Sequence, residues 1–184
     1  MSTLTVKELS APTGEVIKIA SGKTLDLNSQ GTLILPTVPS AKMPAGSVIQ
    51  VISGGSTNTA NGGFLLTTTS TSFVGVAGMN LSITPSSTSS RIMITINTVL
   101  HRAAAARFTI YRGSTNVGGS SYGLARLDST AQAYWHPLSL SYVDSPNTTN
   151  AVSYQLYALT EAGTLYIGGD GDMKNVITLQ EIQG

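Results

Sequence analysis

The chain lacks cysteine and contains few charged residues. With no cysteine among 184 residues, neither a disulfide bond nor a thiolate metal ligand holds this fold together. Asp, Glu, Lys and Arg supply only 10% of the chain, whereas an average soluble domain has about 25%. Serine, threonine, asparagine and glycine provide the polarity instead, which is typical of a surface that faces other copies or of short hydroxyl-rich loops. The net charge of +1 gives no concentrated positive field, so nucleic-acid binding is not expected.

Long apolar runs are missing as well. No stretch approaches the ~18 uninterrupted apolar residues of a membrane span. The first ten residues, MSTLTVKELS, lack the apolar core of a signal peptide. We therefore expect no membrane insertion and assembly in a cytoplasm.

Residues 14–35, GEVIKIASGKTLDLNSQGTLIL, repeat one phrase three times. Each phrase is a glycine, one or two polar residues and a short apolar stretch, and it begins at Gly14, Gly22 and Gly31. Strands this short cannot bury their own apolar face. Such repeats are typical of stacked β architecture, in which neighbouring units supply the core that each unit lacks.

A cluster of prolines follows the repeats, at Pro36, Pro39 and Pro44. Proline cannot donate to a sheet ladder and favours an extended backbone, so the cluster predicts a semi-rigid neck. We place the domain boundary there, with an N-terminal region of residues 1–45 and a C-terminal domain of residues 46–184.

The C-terminal domain contains about ten short apolar stretches separated by turn residues, and no credible amphipathic helix. In RIMITINTVL, for example, Ile92, Ile94 and Ile96 share one face while Met93 and Thr95 share the other. GGSTNTANGG, residues 54–63, is interpreted as a loop. This pattern favours an all-β fold, an antiparallel β-sandwich of jelly-roll type. The predicted strands are SVIQVIS, FLLTTTS, FVGV, NLSITP, RIMITINTVL, RFTIYRG, YGLARL, YWHPLSLSYV, VSYQLYAL, GTLYIGG and NVITLQEI.

Residues suited to catalysis or metal binding are sparse. His101 and His136 are the only histidines, and both are interpreted as packing or strand-end residues rather than general bases. Asp170 and Asp172 flank Gly171 in a glycine turn, where aspartate usually bonds its own backbone. Loose ion binding at this pair is a minor alternative, since Lys174 would repel a cation. We predict no catalytic residue, no cofactor and no metal ion.

Aromatic side chains concentrate in the C-terminal half. They stack on sugar rings and anchor protein contacts because they offer a large apolar area at low rotamer cost. Tyr154 and Tyr166 lie inside apolar strands, so they are expected to fill the core or line an oligomer axis. The segment from residue 120 to residue 137 combines stacking faces with hydrogen-bond donors. The candidate receptor-binding residues are Tyr122, Arg126, Tyr134, Trp135 and His136, with core packing as the alternative for each residue.

Several phrases of the chain resemble one family of proteins. LSITPSSTSSRIMITI (residues 81–96), DSPNTTNAVSYQLYAL (residues 144–159) and the ending NVITLQEI resemble the C-terminal β-sandwich of tail-fibre-like and virion structural proteins of marine tailed bacteriophages. MSTLTVKEL, the glycine-led repeats and MPAGSVIQV resemble the N-terminal part of the same proteins. The resemblance spans most of the chain and implies a non-enzymatic virion component that acts as a homotrimer.

A trimer would solve the missing-core problem of the repeats. Three identical chains wound about one axis form an extended shaft in which each apolar face packs against its two partners. The shaft residues are then Val16, Ile17, Ile19, Leu25, Leu27, Leu33 and Leu35. A neighbouring virion protein and the chain's own sandwich are the alternative partners of these repeats.

The expected function is projection of the sandwich head from the virion. The N-terminal region would attach to other virion proteins, and the head would bind a host-surface glycan or protein. The protein would assemble in the host cytoplasm and be located in the virion. A capsid decoration protein or capsid fibre is the first alternative. A polysaccharide depolymerase spike is the second, and it needs a carboxylate pair that the sequence does not show.

Overall fold

The computed structural model describes residues 21, 39, 42–57, 63–101, 105–119, 121–128, 135–169 and 173–184. The chain divides into two units, Met1–Thr37 and Val38–Gly184. Apart from Ser21, the described residues belong to the second unit. All seven apolar positions of the predicted shaft lie outside the described residues, so the shaft stays a prediction, as does the boundary after residue 45.

The described part of the second unit consists of β-strands joined by turns, with no α-helix. Strands form because apolar and polar residues alternate along most of these segments, which places one set of side chains on each face. The strands are β1 (Val48–Thr57), β2 (Leu66–Thr68), β3 (Val74–Ile83), β4 (Arg91–His101), β5 (Ala106–Arg112), β6 (Thr115–Asn116), β7 (Ala125–Leu127), β8 (Trp135–Asp144), β9 (Val152–Thr160), β10 (Leu165–Ile167) and β11 (Lys174–Ile182).

Six strands form the first antiparallel sheet, called sheet A, around β4. Strand β8 pairs with one edge of β4 along nearly its whole length. Strands β11 and β10 follow one another along the opposite edge of β4. Strand β1 then pairs with β11, and β2 pairs with β10. Four long strands therefore lie side by side in the order β1, β11, β4, β8.

Five strands form the second antiparallel sheet, called sheet B. Strand β9 lies between β3 and β5, and the short strands β6 and β7 both pair with the far edge of β5. Strand β3 contains a large bulge, because Gly75 pairs with Tyr157 and Asn80 pairs with Gln155. Gly78 in this bulge has a φ of 72°, which glycine adopts without strain.

The apolar faces of the two sheets form one core. Ile92, Ile94 and Ile96 are fully buried, while Met93 and Thr95 point to the other face of sheet A. The predicted face of β4 is therefore confirmed. Sheet B contributes further large buried side chains, including Phe108, Tyr154 and Leu156. The all-β architecture with two antiparallel sheets that the sequence predicts is confirmed as well.

Two predicted element boundaries are wrong. Strand β1 continues through Gly54 and Gly55, which the sequence pattern assigns to a loop. Crowding explains glycine at Gly55, where a Cβ would lie 1.9 Å from the carbonyl oxygen of Asn175, and a Cβ on Gly54 would lie close to Leu81 Cδ1, at 3.0 Å. FVGV and NLSITP are not two strands but the two ends of β3, joined through the bulge.

Candidate functional site

Most of the described ion pairs gather around Glu161, which directly follows β9. Arg107 on β5 and Arg126 on β7 lie directly opposite each other in the sheet, an arrangement that is unfavourable for two like charges. Glu161 offsets this repulsion, because its carboxylate accepts hydrogen bonds from both guanidinium groups. Arg107 Nε donates to Oε1 at 2.5 Å, and Arg126 Nη2 donates to Oε2 at 2.9 Å. Arg126 Nη2 also pairs with Asp128 Oδ1 at 2.9 Å.

The electrostatics of this cluster follow from those contacts. The hydrogen bond from Arg126 is the main cause that lowers the pKa of Glu161, and Arg107 adds to it against a partial loss of solvation. The hydrogen bond to Glu161 is likewise the main cause that raises the pKa of Arg126. Two guanidinium groups face two carboxylates, so the cluster is neutral as a whole near neutral pH.

Arg107 also positions Tyr122, whose ring is prominent on the surface. The side chain of Tyr122 is 65% exposed, and the guanidinium carbon of Arg107 lies 4.6 Å from its ring centroid. Arg107 Nη1 donates to the carbonyl oxygen of Ser121 at 2.6 Å. The backbone N–H of Leu124 donates to Phe108 O at 2.8 Å. Ser121 and Leu124, which lie before and after Tyr122 in the sequence, are therefore both hydrogen-bonded to β5.

An open depression of about 400 Å³ adjoins this cluster on the outer face of sheet B. One side of it contains Phe73 and Tyr111, whose ring centroids are 6.5 Å apart, and Tyr111 stacks on Tyr157 at 4.0 Å. The other side contains Arg107. The residues that line the depression are Thr71, Ser72, Phe73, Arg107, Tyr111, Ser121 and Leu159. The depression thus combines aromatic rings, hydroxyl groups and a fixed guanidinium group.

A second aromatic cluster lies on the outer face of sheet A. His101 on β4 pairs with Trp135 on β8 and with Tyr166 on β10. The ring centroids of His101 and Trp135 are 4.5 Å apart, and those of Phe64 and Tyr166 are 4.7 Å apart. Within the described residues, the buried His101 Nδ1 has no hydrogen-bond partner. The cluster is mainly a packing contact that joins three strands.

The five candidate receptor-binding residues do not form one patch. Tyr122 and Arg126 belong to the cluster on sheet B. Trp135 lies on the outer face of sheet A, and His136 points to the opposite face, where it pairs with the buried Leu100. Tyr134 lies outside the described residues. The segment is contiguous in sequence, but the fold divides it between two sheets.

The two predicted core tyrosines differ from each other. Tyr154 is fully buried, as predicted. Core packing of Tyr166 is wrong, because the neighbouring Leu165 and Ile167 point inward and strand alternation turns Tyr166 outward against Phe64. The alternative, that Tyr166 lines an oligomer axis, stays a prediction.

Several contacts of the candidate site have no local signal in the sequence. Arg107 and Glu161 are 54 residues apart and meet only because β5 pairs with β9. Phe73 and Tyr111 come from separate parts of sheet B in the same way. The residue types alone did not indicate a binding site, since an isolated arginine or tyrosine in a strand is usually a surface or packing residue.

Glu181 in β11 is a further buried carboxylate, and its contacts are structural. Its Oε1 accepts hydrogen bonds from the Ser86 N–H at 2.6 Å, from the Ser86 hydroxyl at 2.8 Å and from the Ser90 hydroxyl at 2.7 Å. These bonds fix the serine-rich turn between β3 and β4 against sheet A. A carboxylate engaged in this way anchors a turn.

Across the described ranges, no group of three or more His, Cys, Asp or Glu side chains is arranged to hold a metal ion. Asp170 and Asp172 lie outside these ranges, so loose ion binding there stays a minor prediction. No helix with the length and apolar character of a membrane span occurs in the described part of the chain. No protein-family model matches the chain, and no curated protein matches it either.

Proposed function

We propose that the chain is a non-enzymatic structural protein of a tailed-bacteriophage virion, a homotrimeric tail-fibre-like protein that binds the host surface through its sandwich. The observation that carries the binding role is the pairing of Tyr122 and Arg107. An exposed ring held by an ion-paired arginine beside an open depression is suited to recognition, because its geometry is set before a ligand arrives.

The chemistry of this surface favours a neutral glycan as the ligand. Tyr122 offers a face for a sugar ring, while Phe73 and Tyr111 supply apolar contacts in the depression. The hydroxyls of Thr71 and Ser72 are suited to sugar hydroxyls. Because Glu161 and Asp128 balance the two arginines, the cluster supplies no excess positive charge for an anionic polymer.

A homotrimer makes such a site effective even when each copy binds weakly. Three equivalent sites on one rigid body raise the effective concentration of the second and third contacts, with an avidity gain of about 10²–10⁴. The N-terminal region attaches the trimer to other virion proteins in this proposal. The sandwich then carries the recognition surface away from the virion.

The test compares host adsorption by virions carrying Tyr122→Ala with adsorption by virions carrying Tyr122→Phe. The alanine variant removes the ring and should lower the adsorption rate at least about tenfold, as expected for loss of a stacking contact at every site. The phenylalanine variant keeps the ring over Arg107 and should adsorb within about twofold of the wild type. Equal melting temperatures of the three proteins establish that folding is unchanged.

Two outcomes would contradict the proposal. Normal adsorption by the Tyr122→Ala virions means that this surface is not the receptor site. Normal adsorption by virions that lack the protein altogether removes the attachment role and favours the decoration alternative. Electron microscopy of labelled virions then places the protein on the capsid or the tail.

A further inference from the structure

The outer face of sheet A is uncharged except at its two ends. This face, here called the A face, consists of the outward-pointing side chains of β1, β11, β4 and β8. Arg91 stands at one end beside Ile182, and Lys174 stands at the other end. Between them, the strand register shows only uncharged side chains, such as the row Val51, Gln180, Met93 and Val143.

Exposed apolar side chains concentrate on the A face. Six large hydrophobic side chains are exposed in the described residues, and four of them belong to this face: Val48 (48%), Val51 (57%), Trp135 (41%) and Val143 (44%). Two of them lie on the edge strand β1 and two on the opposite edge strand β8. Exposed apolar side chains that gather on one face favour an interaction surface. The outer face of sheet B differs, since it carries the ion pairs around Glu161.

We propose that the A face packs against the A faces of the other copies of this chain, around the axis of the proposed trimer. The inference deepens the proposed function, because it rests on the self-association proposed there and assigns a surface to it. A foreign partner with an ordinary charged surface would bury its charges opposite a face that offers no counter-charge. An identical face carries no such charges, so two copies meet without that penalty.

The polar groups of the A face are also suited to an identical partner. One row across the sheet consists of Ser53, Thr178, Thr95 and Ser141. Within it, the hydroxyls of Ser53 and Thr178 already lie 3.1 Å apart. A hydroxyl both donates and accepts, so a hydroxyl row satisfies a copy of itself in several registers. A row of carboxylates or of ammonium groups would not satisfy an identical row, because a carboxylate only accepts hydrogen bonds and an ammonium group only donates them.

The size of the A face matches what a stable contact requires. Four strands about 4.8 Å apart, each about ten residues long at about 3.4 Å per residue, cover roughly 650 Å² in projection. A standard protein–protein interface buries about 800 Å² on each partner. The area of the A face is therefore of the order that one such interface requires, even without a contribution from the rest of the chain.

The first experiment introduces one charge on each sheet and measures the mass of the full-length protein by sedimentation. Ser141→Lys places an ammonium group on the edge strand β8, at the end of the hydroxyl row of the A face. Ser82→Lys makes the same change at an exposed serine on the outer face of sheet B. The wild type and Ser82→Lys should sediment as the same oligomer, while Ser141→Lys should show at least about a tenfold weaker association.

The second experiment uses the absence of native cysteine. Ser141→Cys and Ser82→Cys each provide a single thiol whose reaction with a maleimide is followed over time. In the oligomer, the thiol of Ser141→Cys should react at least about tenfold more slowly than that of Ser82→Cys. On dilution below the dissociation constant of the oligomer, the two rates should converge, because the other copies have left the A face.

The outcomes separate this inference from the proposed function. A persistent Ser141→Lys oligomer with a reactive thiol at residue 141 overturns the interface and leaves the proposed trimer and receptor site standing. A thiol that stays protected in the monomer means that the chain's own residues cover the A face, which also overturns it. A monomeric wild type rejects self-association itself, whereas loss of adsorption in an intact oligomer concerns only the receptor site.

Discussion

Tyr154 and Asp144 connect the two sheets through a buried hydrogen bond. The phenolic oxygen of Tyr154, in β9 of sheet B, donates to Oδ2 of Asp144 at the end of β8 in sheet A, at 2.7 Å. Arg112 Nη1 donates to the same oxygen, also at 2.7 Å. Burial and the bond to Asp144 raise the pKa of Tyr154 far above its usual range. The phenol is therefore held as a donor to the same carboxylate oxygen that accepts from Arg112.

The first prediction is that Tyr154→Phe destabilises the fold. The substitution keeps the buried ring but removes one donor from the buried Asp144, so the free energy of unfolding should fall by about 1–3 kcal/mol. Urea unfolding followed by circular dichroism measures the change. Tyr142→Phe is the matched control, because the half-buried Tyr142 makes no hydrogen bond through its hydroxyl to the described residues. Equal free energies of unfolding of the two variants would mean that the hydrogen bond between Tyr154 and Asp144 does not stabilise the contact between the sheets.

The second prediction concerns Ile94 at the centre of the core. Ile94 is fully buried and lies between Leu179 of β11 and Tyr142 of β8 in the sheet register. Ile94→Ala should lower the free energy of unfolding by about 2–5 kcal/mol, since it removes apolar contacts and leaves a cavity. Ser82→Ala, at an exposed position on the outer face of sheet B, should change it by no more than about 0.5 kcal/mol. A small effect at Ile94 would mean that the core-facing register of β4 is different.

The third prediction compares two glycines that both have positive φ. Gly55 has a φ of 150° and lies against the backbone of Asn175, whereas Gly46 has a φ of 89° and open space around its Cα. Alanine is strained at both positions, at about 1–3 kcal/mol. At Gly55, the added Cβ would also lie 1.9 Å from the carbonyl oxygen of Asn175. Gly55→Ala should therefore unfold at a clearly lower urea concentration than Gly46→Ala. Equal midpoints would show that β1 does not approach β11 this closely.

The sequence is informative about the strands because their signal is local. Alternation in RIMITINTVL identifies the buried face of β4, and each side chain of Ile92, Ile94 and Ile96 is buried accordingly. The continuation of β1 through Gly54 and Gly55 was not predictable in this way. Glycine is unfavourable in an isolated strand, and only contact with Leu81 and β11 explains its presence here.

The candidate site is less predictable because its parts are distant in sequence. Tyr122 and Arg126 were identified from composition, but their partners Arg107 and Glu161 depend on the pairing of β5 with β7 and β9. Trp135 is close to Tyr122 in sequence and belongs to the other sheet. Proximity along the chain is a poor guide to a surface that several strands assemble.

The final prediction is that the contribution of Glu161 depends on pH. Its pKa is lowered in the folded protein by Arg126 and Arg107. A carboxyl group with a lowered folded-state pKa stabilises the fold above its unfolded-state pKa, and the gain is lost as pH falls through the folded-state value. The difference in stability between the wild type and Glu161→Gln should therefore be largest near neutral pH. It should shrink below the ordinary value of 4.5.

Urea unfolding midpoints of the wild type and Glu161→Gln, measured from about pH 7 to about pH 3, provide the test. Asp128→Asn is the control, because Asp128 is largely exposed and, among the described residues, forms an ion pair only with Arg126, so its effect should be close to zero at every pH. In Glu161→Gln, the opposed guanidinium groups of Arg107 and Arg126 lose their shared counter-charge, and added salt should reduce the defect by screening their repulsion. A difference that is constant with pH would mean that Glu161 acts through packing alone, and the ion-paired positioning of Arg107 beneath Tyr122 would then be wrong.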